Sequence, residues 1–149
     1  MNLKTTKYGL FLGTTLSGII VLDNVVFPSY GPDWAPGMLL VAAIIGTYIV
    51  LCARRASRRN NVIALKVGAI TSLIGFLISM LTFVIIDNIF LSTVSKQADK
   101  INGFQHSSYH SMQAFINAGL IRGILFGVPA SIIFGLFCGW MGSYKHNVK

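Results

Sequence analysis

Glutamate is absent, and the only acidic side chains are Asp23, Asp33, Asp87 and Asp99. No pair of glutamates is therefore available for acid–base work, and no GxSxG elbow, phosphate-binding loop or dinucleotide fingerprint occurs. These absences exclude the familiar chemistries of soluble enzymes, and a noncatalytic protein without cofactors is expected. Cysteine is almost as scarce. Cys52 and Cys138 form no CxxC and no zinc-type spacing, and both fall near helix ends expected on the reducing side, so they are read as small apolar fillers. Charge of either sign is thin as well. Only 11% of residues are charged against about a quarter in soluble domains, while 54% are hydrophobic, so water is the wrong reference solvent.

What the chain does have is long apolar runs. Four of them, over residues 8–26, 36–52, 66–90 and 118–143, approach or exceed the roughly 20 residues that cross a hydrocarbon core. The second is apolar only from Met38 to Cys52 and needs its flank back to Pro36 and Trp34, which is plausible because Gly and Trp sit readily at a membrane interface. Lys4 and Lys7 ahead of the first run imitate a signal peptide, but the run is too long and lacks a small-residue cleavage site before Phe27 and Pro28, so it is expected to stay. The predicted fold is all-α, an integral membrane four-helix bundle of two helical hairpins making one domain over residues 1–149.

Basic residues set the orientation, because segments flanking spans on the cytoplasmic side carry the excess of Lys and Arg. Lys4, Lys7, Arg54, Arg55, Arg58, Arg59, Lys66, Lys145 and Lys149 fall on one side, and Lys96, Lys100 and Arg122 on the other. Both termini are thus expected in the cytoplasm, with all four aspartates outside. The architecture resembles that of many small four-helix bacterial membrane proteins, which makes a bacterial cytoplasmic membrane the expected location. The loop ARRASRRNN offers Arg54, Arg55, Arg58 and Arg59 to anionic lipid headgroups, although a topology signal alone would account for it. Aromatic residues agree, with Tyr8, Tyr48, Trp140 and Tyr144 toward the inner interface and Tyr30 and Trp34 toward the outer. Nucleic acid is not an expected partner.

The outer connections differ in kind. FPSYGPDWAPG should form a compact turn-rich cap, whereas residues 91–117 are longer, polar and compatible with a broken helix, with Gly103 the expected break and with either a helix on the outer surface or an outward extension of the fourth span from near Ser107. A faint repeat links the hairpins: IIVLDNVVF closes the first span and FVIIDNIFL the third, and only the Asp-Asn pair in each is informative.

Small residues recur every fourth position in the fourth span at Gly119, Gly123, Gly127, Ser131, Gly135, Gly139 and Ser143, and in the first at Gly9, Gly13 and Ser17. Such stripes let helix backbones approach closely, and a contact between the first and fourth spans is the simplest expectation. Pro129 should kink the fourth span. Asp23, Asp87 and Arg122 are expected at one outer depth, as a polar clamp or as titrating groups. His106 and His110 stand four apart in HSSYH, but with no evident third ligand they are read as solvated loop side chains. The function expected is an accessory or structural subunit of a membrane complex or homo-oligomer, acting through the glycine faces. The alternative is a small oligomeric transporter or channel for an ion or small solute with the Asp/Arg cluster at its outer mouth.

Overall fold

A computed structural model describes residues 3–26, 34–56 and 61–144. Among these residues the regular structure is helical throughout. Helix α1 (Leu3–Val21) continues into a widened π-type turn (Leu22–Val26), followed by α2 (Trp34–Ala56), α3 (Asn61–Ile89), the short α4 (Leu91–Val94), α5 (Ala98–Gln105) and α6 (Met112–Tyr144). Uninterrupted runs of Leu, Ile, Val, Ala and Phe suit helix, in which one segment satisfies its own backbone hydrogen bonds. Pro36 lies in the first turn of α2, where its missing N–H has no intrahelical bond to make. Three stretches, Leu3–Val26, Asn61–Ile89 and Met112–Ser143, are long and apolar enough to cross a membrane. In the most apolar window of the last, only 6% of residues are buried inside the protein. Leu125, Phe126 and Ile133 are each at least 65% exposed, the reverse of a soluble helix, which turns such residues inward.

Helix α3 is the centre of the arrangement, in contact with α1, α2 and α6. Against α1 it runs parallel: Gly9 faces Ile74, Gly13 faces Ile78, and Ser17 meets Thr82, each step along one helix matched by a step the same way along the other. Against α6 it runs antiparallel. Gly139 lies on Ala64, Gly135 on Gly68, Gly127 on Phe76 and Gly123 on Met80. Helix α2 lies alongside α6 in the same direction, with Gly46 near Cys138 and Gly142 against Val50 and Ala53. The first and last long helices therefore do not pair among the described residues. The expected contact between the first and fourth spans is replaced by α3 standing between them, because α3 carries its own small residues, Ala64, Gly68 and Ser72, opposite the α6 stripe.

Two buried apolar clusters hold the ends. Leu12, Ile49 and Cys138 join α1, α2 and α6 toward the end where Leu3 and Ala56 lie. Ile86, Val94 and Ile116 join α3, α4 and α6 at the other end, with Ile20 and Val25 packed on them. The segment between α3 and α6 does break, though not at Gly103. That residue is inside α5, where a methyl group would lie 2.8 Å from the Phe115 ring, and the chain instead leaves the helix at His106 to Ser111. Helix α6 starts at Met112, six residues ahead of the span boundary at Ala118 and within the outward extension expected from near Ser107. Residues 27–33 of the expected outer cap, with Tyr30 and Asp33, lie outside the described residues, as do Arg58, Arg59, Lys145 and Lys149.

Candidate functional site

The glycine faces are filled within the chain. A Cβ built on Gly9 would come within 2.6 Å of Ile74 Cβ, and one on Gly13 within 2.7 Å of Ile78 Cβ, so the isoleucines of α3 seat directly on the α1 backbone. In return, Leu12 of α1 seats on Gly75 of α3. Toward α6 the approach is closer still. A methyl at Gly68 would run into the Gly135 carbonyl and lie 2.9 Å from the Gly139 Cα, which leaves room for no side chain on either helix. Van der Waals contact over such a groove is what holds apolar helices together when burial from water contributes nothing. Ser17 adds a hydrogen bond of 2.6 Å; since the Thr82 hydroxyl directs its proton to the Ile78 carbonyl, Ser17 is the donor. Ser131 and Ser143, by contrast, donate to carbonyls of their own helix, of Val128 and Trp140. Only Gly119 in the α6 stripe has nothing within 4 Å of the place a Cβ would occupy; Gly18 on α1 is equally open.

Asp23, Asp87 and Arg122, expected at one outer depth, do not assemble as a clamp of three. Asp87 is buried and Asp23 exposed, although the two end matching segments. Arg122 is exposed, and its guanidinium donates to the Tyr109 hydroxyl at 3.4 Å, so among the described residues neither carboxylate is its hydrogen-bond partner. Helical rotation explains the result, since a shared depth fixes only one of the two coordinates that a contact requires.

The asparagines beside those aspartates carry the contacts instead. Asn24 and Asn88 each donate to the carbonyl four residues earlier, Ile20 at 2.9 Å and Val84 at 2.8 Å. Each also accepts from a glutamine: Gln97 reaches Asn24 at 3.1 Å, and Gln113 reaches Asn88 at 2.9 Å while giving its second proton to Asn117 at 3.3 Å. The repeated Asp-Asn motif thus ends two parallel helices with the same pair of bonds. Its glutamine partners were not singled out from the sequence, and the signal that could have found them is that the polar stretch is rich in amides, with Gln97, Gln105 and Gln113 among them.

At the opposite end Lys4, Lys7, Arg54, Arg55 and Lys66 are all exposed. Between α1 and α2 the bundle is splayed, and an apolar crevice of about 140 Å³ opens there. Leu12, Leu16 and Ile45 form its floor and the exposed Phe11, Ile19 and Ile44 its rims. Tyr48 closes it toward the basic end: its hydroxyl donates to the Tyr8 carbonyl at 3.1 Å and its ring lies 5.7 Å from Phe11.

The remaining reactive side chains are scattered. Cys52 and Cys138 are buried free thiols. His106 contacts the Asn102 carbonyl at 2.8 Å and is exposed, as is His110. Among the described residues no three His, Cys or Asp side chains gather as a metal site. Comparison with protein-family models, with curated proteins and with solved structures finds no match for the chain.

Proposed function

We propose that the chain is a noncatalytic integral membrane protein with four spanning helices, an accessory or structural subunit of a membrane complex or homo-oligomer. Helix α2, at 23 residues, would reach about 35 Å and is long enough to join the three apolar helices in crossing a core of about 30 Å. Exposed Lys4, Lys7, Arg54, Arg55 and Lys66 all belong to the end that carries both chain termini, which supports a cytoplasmic placement of that end.

The observation that carries the functional reading is how the interior is used. Glycines of α6 meet α3 backbone to backbone, glycines of α1 seat its isoleucine side chains, and the ionisable groups stay dispersed around those seams, an arrangement suited to holding a shape. Association with a neighbour then falls to surface that the chain leaves uncovered, such as the turn around Gly119. Purification in lipid nanodiscs, with mass measured on single particles, tests this. The expected result is a species heavier than one chain, reduced to one chain in Gly119→Leu while helix content and thermal midpoint are kept. A lone wild-type chain with no partner would overturn the assembly role.

A second reading, an oligomeric transporter or channel, is favoured by two groups on α3. Asp87 is 3% exposed, and the Thr71 hydroxyl is fully buried with no hydrogen-bond partner among the described residues. Ionisable groups inside a membrane often mark an ion or proton path. Proteoliposome flux that disappears in Asp87→Asn or Asp23→Asn would establish this reading, and flux unchanged in both would remove those residues from it.

A further inference from the structure

The crevice between α1 and α2 is an apolar recess bounded by two long helices that meet at its Tyr48 end, and its walls say what can lie in it. Helices associate in a bilayer where small residues let backbones approach, because lipid tails are as apolar as leucine and give no other drive. Gly9 and Gly13 of α1 are turned away from this recess toward α3, and Gly46 of α2 is turned toward α6. The side chains that do line it, Phe11, Leu16, Ile19, Ile44 and Ile45, are large, and they would hold a visiting helix at a distance. A slender flexible chain faces no such barrier. A space of about 140 Å³ between the rims matches a few methylene groups and is well below the roughly 300 Å³ at which pockets for compact small molecules begin.

Charge completes the recognition. Lys7 stands one turn before Phe11 on the same face of α1 and is exposed. Arg55 stands two turns beyond Tyr48 on α2 and is exposed as well, as are Arg54 and Lys4 beside them. The crevice therefore runs from an apolar cleft up to Tyr48, and past Tyr48 into a group of cations at the interface. We propose that this recess binds an anionic phospholipid of the cytoplasmic leaflet, one acyl chain lying between Phe11 and Ile44 and the phosphate held by Lys7 and Arg55. Each basic residue near an anionic surface contributes about 1 kcal/mol, so two cations acting together favour an anionic over a zwitterionic headgroup by about thirtyfold.

The inference rests on the membrane reading above, and the experiment separates the two. The chain is reconstituted into vesicles of phosphatidylcholine with or without phosphatidylglycerol, floated on a density gradient, then extracted and examined by native mass spectrometry. The expected result is flotation with every composition, and one phosphatidylglycerol retained per chain in preference to phosphatidylcholine by at least tenfold. Lys7→Gln combined with Arg55→Gln should erase the preference and leave flotation intact. Thr15→Phe, which fills the cleft from a lining position that is itself exposed, should remove retention of either lipid while the thermal midpoint stays within a few degrees of wild type. Equal retention of the two lipids by wild type, or unchanged retention in Thr15→Phe, overturns the lipid site while the floating protein keeps the membrane reading. A chain that fails to float overturns both.

Discussion

One added methyl group meets something different at each glycine of α6. At Gly139 it would lie 2.7 Å from the Ala64 carbonyl oxygen and 2.9 Å from the Leu65 Cα, and neither atom can move without moving the α3 backbone. At Gly127 it would strike the far edge of the Phe76 ring, which can turn aside. At Gly119 it would strike nothing. Overpacking a close contact costs about 1–3 kcal/mol, so Gly139→Ala is expected at the upper end of that range, Gly127→Ala at the lower end, and Gly119→Ala near zero. Thermal or denaturant unfolding in mild detergent measures the order, and equal losses at all three would mean that the α3–α6 seam is not where the stability resides. Ser17 and Thr82 give a second test at this scale. A double-mutant cycle of Ser17→Ala and Thr82→Ala should return a coupling of about 0.6 kcal/mol, the average for hydrogen bonds between membrane helices, and a value of zero would sever the polar link between α1 and α3.

Among the elements, α5 is the one whose attachment depends on few groups. Val94 and Gln97, just ahead of it, are buried, Gln97 bonds Asn24 at 3.1 Å, and the Phe115 ring fills the notch left by Gly103. Gln97→Ala together with Gly103→Val should therefore free α5 while α1, α3 and α6 persist. Hydrogen exchange is expected to quicken over residues 98–105 and stay slow in α3, whereas uniform quickening would show that α5 supports the whole bundle. This region also marks how far the sequence could be read. Apolar length alone announced the long helices, because a backbone in hydrocarbon has to form its own hydrogen bonds whatever its neighbours are. The α6 stripe was legible for the same reason, every fourth position being glycine or serine. What faces it was not legible: the α3 counterpart, Ala64, Gly68 and Ser72, is spaced like the stripe but diluted by Thr71, Gly75 and Ser79, and periodicity within one helix says nothing about which helix lies opposite. Gly103 was misread because glycine weakens a helix without having to end it, and here its missing side chain makes room for a ring. Asp23, Asp87 and Arg122 were matched by depth, and rotation about the helix axes separated them.

For the whole molecule the number of crossings decides which residues share a side of the membrane, and three substituted cysteines count them. With Cys52 and Cys138 replaced by alanine, single cysteines are placed at Ser29, Asn61 and Ser108. Asn61 and Ser108 flank α3, so a crossing by α3 puts them on opposite sides whatever α2 does. Ser29 and Asn61 flank α2, and only a crossing by α2 separates those two. Residues 54–66 hold five basic side chains within a short span, and residues 91–117 hold two, Lys96 and Lys100, a difference that supports the proposed placement of residues 54–66 on the cytoplasmic side. Four crossings with cytoplasmic termini predict that a membrane-impermeant maleimide labels Ser29→Cys and Ser108→Cys in intact cells, and Asn61→Cys only after permeabilisation. If α2 lay along the surface, Ser29→Cys would share the behaviour of Asn61→Cys and the chain would have three spans. If the pattern were inverted, with Asn61→Cys alone labelled from outside, the cations at the α2–α3 turn would face the exterior, and the anionic lipid proposed for Lys7 and Arg55 would have to come from the other leaflet.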